Sequence, residues 1–237
     1  MEKLDVINKV RKELSAHSDE KTKSSSQHFF KESITCYGVK SAIVGKIAKE
    51  NFQFVKECTK SEIFSICEEF WKSEMLEESF IACNWSYFVH KKFEADDLVI
   101  FENWVSNYIS NWASCDTFCN HTLGEYFEMF PDKLYVLKGW ALSPNRWMKR
   151  ASAVSLIIPA KKGLFLNDVF EICDTLLTDS DDMVQKGYGW LLKSADHSHR
   201  TEVFNYVLKN KQFMPRTSLR YAIEKMPKEM KAEAMKK

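Results

Sequence analysis

Four positions spaced about one repeat apart constrain this chain more than anything else in it. Asp116, Arg150, Lys186 and Arg220 are separated by 34, 36 and 34 residues. Each falls in the second helix of a predicted helix pair. The first helices stack in register on Ile63, Leu98, Leu134, Val169 and Val203, at steps of 35, 36, 35 and 34 residues. A period of this size, carried by paired amphipathic helices, predicts an all-α, HEAT-like helical-repeat solenoid, an α-α superhelix. Equivalent positions of successive repeats then line one surface. That surface would carry three cations and one carboxylate, with Trp112, Trp147 and Trp190 nearby. Cations suit a phosphate backbone, and a carboxylate suits a developing positive charge.

Only 7 Gly and 5 Pro occur among 237 residues, which favours long helices over a turn-rich β protein. A formal net charge of +1 excludes a global polycation, so any nucleic-acid binding requires segregated charge. Seven Cys, an odd number without short paired spacings, indicate reduced thiols rather than a disulfide framework. The opening segment, 1–14, alternates charged and apolar residues, unlike a secretory signal. No apolar run approaches the roughly 20 residues of a membrane span. A cytoplasmic, soluble protein is the expectation. Cys115, Cys119 and His121 lie close in sequence, but no second ligand pair follows at zinc-site spacing, so buried thiols are the better reading and no metal is expected.

The expected organisation is a single domain over 1–237. N-terminal helices fill 1–58, five helix-pair repeats fill 59–227, and a cap or tail follows at 228–237. Leu4, Ile7, Val10 and Leu14 recur at helical spacing and predict an opening amphipathic helix. A polar segment, 21–27, leads into His28-Phe29-Phe30, read as continuing a second helix. Gly38 marks a turn, and 41–50 reads as a third helix. The second helices of the repeats are placed at about 75–90, 114–127, 145–158, 181–194 and 215–226. Ser114, Asn145 and Asp181 are plausible N-caps or first-turn residues, and Pro215 fits a first helical turn. The stretch 159–166, with a Pro, Lys161-Lys162-Gly163 and an apolar tail, breaks the rhythm. It reads equally as an interhelix loop or as a short β-hairpin spanning about 158–166, with a basic tip.

Three motifs in register carry a resemblance. Asn111-Trp112-Ala113-Ser114-Cys115-Asp116 contains W-x-x-x-D. Asn145-Arg146-Trp147-Met148-Lys149-Arg150 lies about one repeat on. Gln185-Lys186-Gly187-Tyr188-Gly189-Trp190-Leu191-Leu192-Lys193 lies one repeat further. Together they resemble the AlkD-like DNA alkylation repair family, within the HEAT-like repeat DNA glycosylase superfamily. The likeness is strongest from about Trp104 to Met226. It implies a concave basic groove for double-stranded DNA and, in active members, hydrolytic release of purines alkylated at N3 or N7. On that resemblance Asp116 is the catalytic carboxylate, Trp112 and Trp190 flank the lesion, and Arg150 lies near the backbone at the lesion. Lys149, Lys186, Lys193, Arg216 and Arg220 would extend the backbone track, with Lys161 and Lys162 at the hairpin tip. Indole faces attract cations, so the two tryptophans suit a cationic base or sugar. Water and a carboxylate suffice for the hydrolysis, so no cofactor is expected, and the protein is expected to be a monomer. Isolated, an Asp near a helix start is more often a cap or a surface charge, and the motif context reverses that reading for Asp116. Trp147 reads as core because it sits on the apolar side of its helix.

Two features depart from the family pattern. Ala113 stands where active members can carry a further acidic residue. The 159–166 insertion resembles a hairpin of a branch associated with branched or structured DNA. Three functions stand: the resemblance implies an alkylpurine DNA glycosylase or a non-catalytic binder of branched or distorted DNA that uses the hairpin, and helical repeats alone would also suit a protein-interaction solenoid.

Overall fold

The computed structural model describes residues 3–236. Within them the chain is helical, without a strand; a lone bridge pairs Thr35 with Met75. It divides into two compact units, the first ending at Phe118 and the second beginning at Cys119. The first unit holds α1 (Lys3–Ala16), α2 (Glu20–Gln27), α3 (Ser41–Phe52), α4 (Lys60–Lys72), α5 (Leu76–Phe88), α6 (Asp97–Asn107) and α7 (Trp112–Phe118). The second opens on a π-helical turn, Cys119–Leu123. It continues through α8 (Gly124–Met129), α9 (Tyr135–Ala141), α10 (Arg146–Val154), α11 (Ile157–Lys161), α12 (Leu166–Leu176), α13 (Asp182–Ala195), α14 (Arg200–Asn210), α15 (Arg216–Ala222) and α16 (Lys228–Met235). The stacked anchors Ile63, Leu98, Leu134, Val169 and Val203 are all buried, as a repeat that turns one apolar face inward requires.

The first unit packs around aromatic rings. Phe64, Trp71, Phe101, Trp104 and Phe118 contact one another edge-on or tilted, at centroid distances between 5.5 and 6.3 Å. Each buried ring removes a large apolar area from water, and edge-to-face contacts add to that term. Buried carboxylates fix the entry to this core. Glu77 accepts the backbone N–H groups of Tyr37, Gly38 and Val39 at 2.8–2.9 Å, while Glu78 pairs with Arg11 and accepts the Tyr37 hydroxyl. Gly38 has φ +85°, and a Cβ there would lie 2.6 Å from the Asp19 carbonyl oxygen, so both backbone and space demand glycine.

Two expectations near the N-terminus are corrected. Leu4 is exposed and Val6 is buried instead, so the buried stripe of α1 runs Val6, Ile7, Val10 and Leu14. The polar segment is itself helical, and α2 ends at Gln27 before Phe29 and Phe30. Asp19 starts that helix, accepting the Thr22 N–H at 2.7 Å and the Thr22 hydroxyl at 2.6 Å. Capping chemistry sets α2 where apolar periodicity is absent.

The second unit has a more aliphatic core. The helices α13 and α15 pack tightly at Gly189. A Cβ on Gly189 would lie 2.7 Å from Tyr221 Cβ and 2.8 Å from the Ser218 carbonyl oxygen, so only glycine permits this approach. Asn145 and Asp181 cap α10 and α13 as expected, accepting N–H groups of Trp147 and of Met183 and Val184. Pro215 occupies the N-cap position of α15, one residue before the helix proper. The hairpin reading of 158–166 is corrected: residues 157–161 form α11. The reason is a helix-ending device. Gly163, at φ +86°, donates to the Ala160 carbonyl, and Leu164 donates across the turn to the Pro159 carbonyl, each at 3.0 Å. Lys-Lys-Gly therefore terminates a helix through a left-handed glycine. The terminal charged segment forms α16.

Candidate nucleic-acid interface

Trp112 and Asp116 lie on α7 four residues apart, and this spacing sets their side chains on one helix face. Asn111 starts the helix, and Ser114 falls in its first turn, one of the two places expected for it. The Asn111 side chain accepts the Ser114 N–H at 3.0 Å. Both Trp112 and Asp116 are half-buried. The Trp112 indole N–H donates to the Phe29 carbonyl at 3.2 Å, and its ring stacks on Phe30 at 5.4 Å with planes 22° apart. Phe30, Ile34 and Phe80 join Trp112 around buried Cys36, Leu76 and Ala113. A sequence-remote segment therefore fixes the indole plane. Phe29, whose carbonyl makes that bond, is itself 73% exposed.

In the second unit, α13 presents Lys186, Trp190 and Lys193 at spacings of four and three residues, again on one face. Trp190 is half-buried. Lys186 pairs with Asp182 at 3.3 Å. Lys193 pairs with Glu224 at 2.9 Å and lies over the Tyr221 ring. Lys149 pairs with Asp179 at 2.7 Å, and Lys162 with Glu128 at 2.7 Å. Lys161, Arg216 and Arg220 are exposed and form no ion pair with any carboxylate among the described residues. Arg150 has a different character. Only 5% exposed, it donates to the Met183 carbonyl and lies against Gly187, which ties α10 to α13. Its charge reaches the surface less than the other cations do. Trp147 is buried, with the Arg146 guanidinium 5.1 Å from its ring centroid.

The overall +1 conceals a division of charge. The first unit carries 15 Lys and Arg against 19 Asp and Glu, a formal −4; the second carries 19 against 14, a formal +5. Exposed ion pairs contribute only about 0–1 kcal/mol each, so a stronger anion can draw the exposed Lys162 away at small cost.

Trp190 also walls a cavity of about 660 Å³ within the second unit. Asn120, Ile157 and Ile158 line its interior together with Trp190, while Lys161, Lys193, Arg200 and Lys225 contribute cations. Asn120, Ile157, Ile158, Arg200 and Lys225 were not singled out from sequence. They come from four separate segments, and no local pattern announces their convergence.

The cysteine–histidine grouping does not assemble. Cys115 and Cys119 are buried, His121 is exposed, and among the described residues no three side chains of metal-ligating type converge. Burial pushes the thiols of Cys67, Cys83 and Cys173 well above the ordinary range. No helix among the described residues is long and apolar enough to cross a membrane.

Comparison with known proteins supplies the lineage. No curated protein matches the chain. A solved structure described as a predicted DNA alkylation repair enzyme from Enterococcus faecalis superposes with a TM-score of 0.80 at 14% identity, covering 90% of this chain and 98% of that one. At that identity the likeness establishes the shared all-α helical-repeat fold. The family model for DNA alkylation repair enzymes matches residues 10–226, nearly the whole chain, including α7, α10 and α13. The chain belongs to the DNA alkylation repair enzyme family.

Proposed function

We propose that this protein binds double-stranded DNA and hydrolyses the N-glycosidic bond of purines alkylated at N3 or N7, with Asp116 as its catalytic carboxylate. The observation that carries the reading is the pairing of Trp112 and Asp116 on one face of α7, in a chain of the DNA alkylation repair family. Alkylation makes the purine cationic and therefore a good leaving group. As the C1′–N bond breaks, its electron pair neutralises the base and the sugar becomes an oxocarbenium ion. A carboxylate beside that sugar stabilises the charge and orients water for addition at C1′, and the proton lost by the water passes to Asp116 or to solvent. Trp112 and Trp190 offer indole faces to a cationic group. The cations of the second unit would neutralise phosphates without reading sequence. Buried Arg150 would act chiefly by holding α13, and Trp190 on it, in position. The hairpin-wedge reading for branched DNA has lost its structural element, because 157–161 is helical.

Single-turnover release of 7-methylguanine and 3-methyladenine from methylated duplex DNA tests the assignment. The Asp116→Asn variant is expected to lose about 10²–10³ in rate, the size of one removed electrostatic stabiliser, while its DNA affinity stays nearly unchanged. Equal rates for wild type and variant would remove Asp116 from the mechanism.

A further inference from the structure

The segment 28–34, between α2 and the Thr35–Met75 bridge, is neither helix nor strand. Yet it touches Trp112 in three ways. The Phe29 carbonyl accepts the Trp112 indole N–H, the Phe30 ring stacks on the indole, and Ile34 packs in the same apolar cluster. An irregular loop that carries such contacts needs something to fix its own shape, because its backbone groups have no ladder to join.

One side chain spans this loop. The Gln27 amide donates from Nε2 to the Glu32 carbonyl at 2.8 Å, and its Oε1 accepts the Ile34 N–H at 3.1 Å. These two groups flank Ser33 as the bonds from one residue of a parallel neighbour would flank it. The primary amide stands in for the peptide group of a missing strand. An amide donates and accepts at once, whereas a carboxylate only accepts. Asn would be one methylene too short.

The helix that carries Gln27 has no other evident use. α2 buries no residue, and a helix of eight residues without an apolar face is marginal. Asp19 caps its start, and Gln27 is its last residue. The cap and the amide therefore sit at opposite ends of a polar strut.

We infer that Gln27 is a positioning residue for the proposed reaction: its amide sets the loop 28–34, and the loop sets the plane and N–H direction of the Trp112 indole, on the helix face that also carries Asp116. Its importance to base release rests on the reading of Trp112 and Asp116 given above. The coupling of Gln27 to Trp112 itself needs no DNA.

The test follows the indole N–H resonance of Trp112 in the full-length protein without DNA, assigned with Trp112→Phe, beside single-turnover base release from methylated duplex DNA. Gln27→Ala should move that resonance and speed exchange of the indole hydrogen about tenfold, the factor that one hydrogen bond supplies. Gln27→Met keeps the length of the side chain without its amide and should do the same. Both lost bonds lie at the surface, where water replaces them, so the indole resonances of Trp71 and Trp104 should stay in place. Base release should slow about 10–100-fold, the range that a misplaced group produces, while affinity for duplex DNA stays nearly unchanged. Exposed Ser33, whose side chain forms no hydrogen bond among the described residues, is the control, and Ser33→Ala should alter neither reading. A Trp112 resonance unmoved in both Gln27 variants, or moved as far by Ser33→Ala, overturns the inference. So does a moved resonance with base release at the wild-type rate. Base release by wild type with no response of the indole to Gln27 would sink the positioning role and spare the glycosylase. An indole response in a protein that releases no base would sink the glycosylase and keep Gln27 as the residue that places Trp112.

Discussion

The two units solve different problems with the same helix pairs. The first is acidic and packs large rings edge-on or tilted around Trp71, Trp104 and Phe118. The second is basic and packs smaller side chains, closely enough at Gly189 that a methyl group has no room. Asp116 belongs to the first and most of the candidate phosphate-binding cations belong to the second. The contrast separates roles. On the proposed function the acidic body would position one carboxylate and the basic body would supply the attraction for a polyanion, with neither charge visible in the total.

The largest expected effect breaks the aromatic body. Trp104→Ala should cost about 3–5 kcal/mol, as large-to-small core changes do, read as the shift in denaturant midpoint. Trp104→Phe should cost far less, because the Trp104 indole N–H has no hydrogen-bond partner. Trp85→Phe provides the contrast, since the Trp85 N–H donates to the Ala48 carbonyl at 2.9 Å and its loss orphans that group. Loss of base release in Asp116→Asn comes next. In the basic body, Gly189→Ala should cost about 1–3 kcal/mol by overpacking, lowering the melting temperature by several degrees; an unchanged melting temperature would mean that α13 and α15 separate freely. The smallest effect is the most diagnostic of function. Lys186→Ala or Arg220→Ala should each reduce the slope of log affinity for duplex DNA against log salt by about 0.9. The same change at exposed Lys46 of the acidic body should leave the slope unaltered. Equal slopes for all three variants would dissolve the division of roles.

The sequence disclosed what depends on periodicity and local caps. Ile63, Leu98, Leu134, Val169 and Val203 were legible as anchors because each repeat must bury the same face, and Asn145 and Asp181 were legible because capping is a short-range bond. The polar helix α2 was not, since it buries no residue and its start is set by the Asp19 cap. Lys161-Lys162-Gly163 was ambiguous for a definite reason: a left-handed glycine serves a hairpin turn and a helix end alike, and only the bond from Leu164 to Pro159 decides between them. Of the candidate site, residue types and helix faces were readable. Phe30 on Trp112 was not, because the partners are far apart in sequence. Nor was the interior position of Arg150, or the gathering of Asn120 and Ile157 beside Trp190.

The buried cysteines have a chemical consequence. Methylating and oxidising electrophiles react with thiolate rather than thiol, and desolvation leaves Cys67, Cys83 and Cys173 with almost no thiolate at neutral pH. The packing that folds the protein thereby shields these three thiols from the class of reagent that damages nucleobases.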